Sequence, residues 1–269
     1  MAAEGLHISI APHVIGDFLG LTITSTLVTS WLVVAIIVIA AFLIGRSLKM
    51  VPGKGQVVVE SLIAFVYNYV KDTLEDARLA ARYFPLIMSI LVFVLVANLV
   101  GLLPIMEAVG IHHGGEFIPL LYPVNADLNV PLALAIISFL VVEISGIVYL
   151  GFFKYAGKFL NFSSPINFAV GVLEIIGNLA RLVSLSFRLF GNILAGHLLI
   201  IVIMSFLPYL APLPFIAFEV FVALMQAAIF ALLTLFFIKL SIEDPHSSDS
   251  GQAHSEPGST GSPQVHAGH

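Results

Sequence analysis

Apolar residues in this chain fall in long unbroken runs separated by short polar stretches, and the run lengths predict helices that cross a membrane. Such a helix needs roughly 20 mostly apolar residues. The first suitable run extends from about Leu27 to Ile44 and stops at Gly45-Arg46. The second begins at Pro85, a residue suited to a first helical turn, and ends near Leu103-Pro104. The third starts near Pro131 and ends at about Phe153. From Pro165 to Leu207 no proline breaks the pattern. One helix of that length measures about 65 Å at about 1.5 Å per residue, so it must tilt steeply or lie partly along the membrane plane. Pro208, Pro212 and Pro214 then turn the chain, and a last helix runs to about Leu240. No proline is expected to interrupt a span. Between the first two spans, Val57 to Asp76 reads differently. Its polar residues Glu60, Asn68, Lys71, Asp72 and Glu75 occupy about a third of the helical circumference. That pattern predicts an amphipathic helix lying on the interface. The expected architecture is an all-α polytopic membrane protein with about five crossings, a long tilted hairpin over about 165–240 and one interfacial helix.

Composition sharpens this picture. Of 269 residues, 59% are hydrophobic and only 10% charged, and the mean hydropathy is +1.06. Soluble domains carry roughly a quarter charged residues, so a water-soluble fold is excluded. Cysteine is absent, which removes disulfides, thiolate metal sites and a cysteine nucleophile. A net charge of −5 with no basic stripe argues against nucleic acid. The first thirty residues hold no Lys or Arg, unlike the front of a secretory signal peptide.

Charge placement orients the spans. Arg46, Lys49, Lys54, Lys71, Arg78, Arg82, Lys154, Lys158 and Lys239 all fall at one predicted face. The opposite loop carries Glu107, Glu116 and Asp127 instead. By the positive-inside rule the amino terminus is outside and the carboxyl terminus cytoplasmic, which five crossings allow. The chain divides into an outer segment (1–26), a membrane domain (27–244) and a Ser-, Gly- and His-rich cytoplasmic tail (245–269) expected to be disordered. The tail histidines are spaced too irregularly to define a metal geometry, and His112-His113-Gly114-Gly115-Glu116 reads as a loose outer loop.

Arg181 and Arg188 lie inside the long apolar helix. An intramembrane arginine costs roughly 2.5–3.5 kcal/mol on insertion scales and cannot lose its proton. Arg188 must therefore meet an acid, water or another protein. Helical spacing puts Arg181, Ser184, Gly191, Asn192 and Ala195 on its face, with Glu174 fourteen residues back. Small residues there would let another helix approach closely. The structural alternative is an arginine snorkelling to a helix end, or an internal salt bridge to Glu174 or Glu219. Across the proline turn, Arg188 mirrors Gln226 about residue 207, and His197 mirrors Glu219 about residue 208. His197 is nine residues from Arg188, half-way round the helix, so it is expected to serve a different cavity. His and desolvated Glu can each exchange protons near neutral pH; Arg188 cannot. Glu143, mid-span in the third crossing, faces either a water-filled path or an arginine.

The stretch SLSFRLFGNILAGH, Ser184 to His197, resembles the signature of subunit a in the membrane sector of F-type ATP synthases. Further similar blocks occur in family order: VPGKGQ at Val51–Gln56, NLVGLLP at Asn98–Pro104, NADLNVPL at Asn125–Leu132 and MQAAIFALLTLFF at Met225–Phe237. The resemblance implies a stator subunit of the bacterial plasma membrane, without cofactor or catalytic site of its own. Its implied partners are a ring of c subunits at the Arg188 face, a b-subunit stalk and the rest of the complex. It implies two offset half-channels that carry protons, or sodium, to and from the ring carboxylates, with Arg188 between them. Asp127, His197 and Glu219 would line the outer channel. Asn192 and Gln226 would hydrate or orient the arginine, and Glu174, Arg181 and Ser184 align with the cytoplasmic exit. Many relatives carry a carboxylate at the position of His197 and a histidine at that of Glu219, so here the two residue types are exchanged. Others have a small polar residue where this chain has Gly177. A stand-alone ion-coupled transporter would call for repeated halves, which the sequence lacks. A membrane enzyme using His197 and Glu219 lacks a nucleophile or metal motif.

Overall fold

The computed structural model describes residues 14–18, 21–103, 106, 109–113, 116–151, 155, 157, 165–207 and 210–242. Six α-helices make up nearly all of it: α1 (Ser25–Ser47), α2 (Lys54–Leu74), α3 (Ala77–Gly101), α4 (Asn129–Leu150), α5 (Pro165–Phe206) and α6 (Pro212–Ile242). All but α2 are long and apolar enough to cross a membrane. The predicted tail and most of the outer segment lie outside the described residues.

Local chemistry accounts for the helix ends. Thr24 caps α1 by accepting from the Leu27 amide at 3.3 Å. Glu75 closes α2 in the left-handed region at φ 56°, its amide bonding the Lys71 carbonyl. Asp76 caps α3 by accepting from the Arg78 amide at 2.7 Å. Gly151, at φ 82°, stops α4 where a side chain would be strained. The second span therefore begins eight residues before Pro85, which lies inside α3. Proline removes one backbone bond there. Ala80, Tyr83, Ile87, Ile90 and Val94 nevertheless form one buried stripe running through the proline, and packing along that stripe outweighs the local penalty. The expectation that no span contains an interior proline fails for the same reason.

Two short hairpins were not anticipated from the apolar runs. β1 (Val14–Phe18) pairs antiparallel with β2 (Leu21–Thr24), and β3 (Gly110–His113) with β4 (Glu116–Pro119). The stretch read as a loose loop thus contributes to a hairpin with His113 opposite Glu116. A Gly-Gly pair between two short runs was the available signal.

The core lies where α3, α4, α5 and α6 meet. It contains Ile87 and Val94 from α3, Ala135 and Val142 from α4, Leu185 and Leu189 from α5, and Phe230 and Leu235 from α6. α1 leans on α3 through Val33, Ala97 and Val100. α2 packs its buried Val70 and Leu74 against this bundle while Val57, Val58, Leu62 and Phe65 stay exposed. Outward surfaces are as apolar as the core: Val38, Ile39, Phe42 and Leu43 on α1, and Leu173, Ile176 and Leu179 on α5, are all exposed. Contiguous apolar surface on that scale is not tolerated in water. The chain is a multi-pass membrane protein.

Candidate functional site

α5 carries most of the predicted site residues, and its 42 residues run without a break. A continuous helix fixes the angular position of each side chain, so the face shared by Arg181, Ser184, Arg188 and Ala195 survives from sequence to structure. These four are exposed, as is Gly191. A Cβ added at Gly177 or Gly191 meets no neighbouring atom within 4 Å. The Arg188 guanidinium donates to the Ser184 hydroxyl at 3.4 Å. Among the described residues no carboxylate pairs with it, so the internal salt bridge to Glu174 or Glu219 is not formed. Arg188 borders an open cavity of about 280 Å³, shared with Gly177, Arg181, Ser184 and, from α6, Leu233 and Phe237. Gln226 is buried on α6. Asn192 is half-buried, its Nδ2 enclosed with no partner among the described residues.

His197 and Glu219 occupy a second place. Glu219 is buried on α6 against Gly196, where an added Cβ would overlap its carboxylate. The pair therefore sits at one height across the hairpin. The His197 ring lies edge-on to Tyr122, with centroids 5.6 Å apart. The Tyr122 amide in turn donates to Thr29 Oγ1 at 3.1 Å. One turn away on α1, Thr26 donates to Asp127 Oδ2 at 2.8 Å, while the Asn129 amide reaches the other carboxylate oxygen at 3.0 Å. Asp127 is thus anchored between α1 and the start of α4. Beside it, Asn125 Nδ2 donates to Asn98 Oδ1 at 2.6 Å. Asn98 Nδ2 and Asn125 Oδ1 are buried without a partner among the described residues. Enclosed polar atoms of this kind suit ordered water.

A third group surrounds Glu143, whose carboxylate accepts from Tyr155 at 2.8 Å and from Asn178 at 3.3 Å. Asn178 also accepts from Arg181 at 3.2 Å, and the Arg181 guanidinium lies 4.9 Å over the Phe237 ring. Burial first, and then the bond to Glu143, pushes the Tyr155 phenol above its ordinary range, so the hydroxyl remains a donor. Glu174 is half-exposed on α5, close enough for its charge to act on that phenol.

The structure thus separates the predicted residues into Arg188 with Arg181 and Ser184 on one side, and Asp127, His197 and Glu219 on another. Sequence reasoning missed Thr26, Asn98, Tyr122, Asn125, Tyr155 and Asn178. Asn98 and Asn125 stood in the family-like blocks, and an asparagine in an apolar run was a usable signal. Tyr155 and Asn178 gave none, because their importance comes from Glu143 on another helix.

Chemically, the arrangement supplies two permanent cations, Arg181 and Arg188, on one open helix face, a set of protonatable or hydrating groups around Asp127, His197 and Glu219 away from that face, and a second set around Glu143 joined to it through Arg181. The profile of the ATP synthase A chain family matches residues 27–239. ATP synthase subunit a 3 of Pelobacter propionicus is 37% identical over 220 residues, covering 81% of this chain and 87% of the relative. ATP synthase subunit a of Geotalea daltonii is 34% identical over the same shares. That of Campylobacter concisus is 36% identical, covering 77% of this chain and 85% of its own. With a match spanning every crossing helix, this chain belongs to the ATP synthase A chain family.

Proposed function

We propose that this chain is the proton-translocating stator subunit a of a bacterial F-type ATP synthase, and that it forms two offset aqueous half-channels separated by Arg188. It holds no nucleotide-binding loop, so ATP chemistry belongs to other subunits. The observation that carries this reading is the exposure of Arg188 on a face of small residues with no acidic partner among the described residues. Such a charge is too costly to leave against lipid. A carboxylate on a passing c-subunit helix would answer it, and the space at Gly177 and Gly191 leaves room for that helix.

In this mechanism a proton enters past Asp127 and reaches the His197–Glu219 level, where it passes to a ring carboxylate. That carboxylate, once neutral, can turn into lipid. On return it gives up its proton towards Ser184, Arg181 and Glu174, because the Arg188 guanidinium favours the ionised acid. The fixed positive charge also repels a proton moving directly between the two paths. Each proton crossing 100 mV releases about 2.3 kcal/mol, which drives rotation. Asn192 and Gln226 orient water around the arginine. The basic ends of α1, α3 and α6 support a cytoplasmic carboxyl terminus in the plasma membrane, and a b-subunit stalk would complete the stator.

The test is ATP-driven proton pumping by the reconstituted complex. Arg188→Ala is expected to abolish pumping while ATP hydrolysis by the detached soluble sector persists. Retained pumping would remove Arg188 from its role and the proposal with it.

A further inference from the structure

Glu143 lies outside the residues assigned so far, yet both of its carboxylate oxygens are held by side chains from other stretches of the chain. One carboxylate oxygen accepts from the Tyr155 hydroxyl at 2.8 Å and the other from Asn178 Nδ2 at 3.3 Å. Arg181 does not touch it directly. An uncharged amide stands between them, its Oδ1 accepting from the guanidinium at 3.2 Å. A carboxylate kept only to neutralise an arginine would meet it in a charge-assisted pair. Here the acid is shared by two neutral donors, and among the described residues no cation is bound to it directly.

The surroundings supply a path. Glu143, Asn178 and Arg181 line a small cavity of about 20 Å³ with Ser138 and Thr234, enough for one water molecule. Ser138 Oγ is buried there without a partner among the described residues, and a water bound between it and the carboxylate would satisfy both. Arg181, Leu185 and Phe237 form the wall shared with the larger Arg188 cavity. The site also lies towards the basic end of the molecule. Phe237, packed on Arg181, is two residues from Lys239, which pairs with Glu75 at 2.9 Å. Glu143 itself is seven residues before the end of α4, about 10 Å at 1.5 Å per residue.

Resting on the subunit-a reading above, we propose that Glu143 is a proton-carrying station of the exit path, linked by a bound water to the Arg188 cavity and held in place by Tyr155 and Asn178. A proton leaving the ring carboxylate passes through water beside Arg181 to a Glu143 oxygen. The acid then releases it to water at the basic face, and no other bond changes. Among the described residues, the titratable and charged groups around Glu143 are Tyr155 from the segment after α4 and Arg181 from α5, with Glu174 of α5 close enough for its charge to act on the Tyr155 phenol. The α6 residues at this cavity, Thr234 and Phe237, are uncharged.

The experiment uses the whole reconstituted synthase and measures passive proton conduction of its membrane sector across pH. Glu143→Gln keeps the side chain's size and one acceptor oxygen but cannot carry a proton. It is expected to slow conduction by about tenfold, below the usual contribution of a positioned proton-transfer group, and Glu143→Asp is expected to recover part of the rate. Tyr155→Phe keeps the carboxylate but removes a donor to its ionised form, so the pH midpoint of conduction should move upward. Wild-type conduction and pH profile in Glu143→Gln would overturn the proposal. If that variant fails to assemble, an unmoved midpoint in Tyr155→Phe overturns it instead. Arg188→Ala is measured in parallel. Its loss of pumping beside an unaffected Glu143→Gln would sink this proposal alone, whereas retained pumping in Arg188→Ala would sink the reading beneath it.

Discussion

At Gly196 the absent side chain is what lets the Glu219 carboxylate lie against α5. An alanine there would displace the flexible end of Glu219 rather than any backbone, so the helices should still pack. We therefore expect Gly196→Ala to assemble normally and to slow proton conduction on the order of tenfold, through a misplaced acid. Flux equal to wild type would reduce the His197–Glu219 level to a structural contact. That His197 and Glu219 lie at one level across the hairpin was legible from the hairpin mirror alone. Their separation from Arg188 was legible too, because nine residues along a helix is half a rotation. What faced Glu143 was not. Its acid, its tyrosine and its amide come from three stretches of chain, and periodicity within one stretch carries no information about another.

Helix α5 works as a ruler: over 42 residues it holds an apolar side, a mixed buried side and a narrow small-residue face in constant register. At Gly191 an added Cβ would meet no neighbouring atom within 4 Å, so substitution tests what lies outside the chain. Gly191→Leu should leave the subunit's own folding intact and even favour the helix. It should also lower co-purification of the c-subunit ring by about tenfold, in keeping with the 1–3 kcal/mol typical of overpacking. Undiminished ring recovery would mean that the partner docks elsewhere. Helix α3 shows the opposite lesson. Pro85 looked like a beginning because its ring suits a first turn, but the buried stripe from Ala80 to Val94 carries the helix through it. Helix extent was decided by contacts with α6 and α2, not by the residue most disruptive to a helix in isolation.

Across the whole molecule, one ion pair ties the turn between α2 and α3 to the far end of α6: Lys239 Nζ to Glu75 Oε1, 2.9 Å, between residues 164 positions apart. The hydrogen bond from Lys239, and then its charge, holds the Glu75 carboxyl below the usual carboxylate range. A depressed native pKa makes this contribution complete above the ordinary carboxylate pKa and removes it as pH falls through the native value. Exposure and salt keep it small. Glu75→Gln should thus unfold slightly earlier than wild type in detergent at neutral pH and low salt, with no difference once pH is below the carboxylate range. An equal gap at both pH values would assign the effect to the strained helix cap instead. Length of apolar run, the bilayer's demand for satisfied backbone and the 3.6-residue repeat act locally. They let the sequence by itself determine the five spans, the unbroken long helix and the stranding of Arg188 on a small-residue face. Contacts between distant stretches depend on how helices cross and on which side chains fill the gaps. Only the tertiary structure could decide that Asp127 is anchored by Thr26, that Glu219 rests in the space left by Gly196, and that Glu143 answers to Tyr155 and Asn178 rather than directly to an arginine.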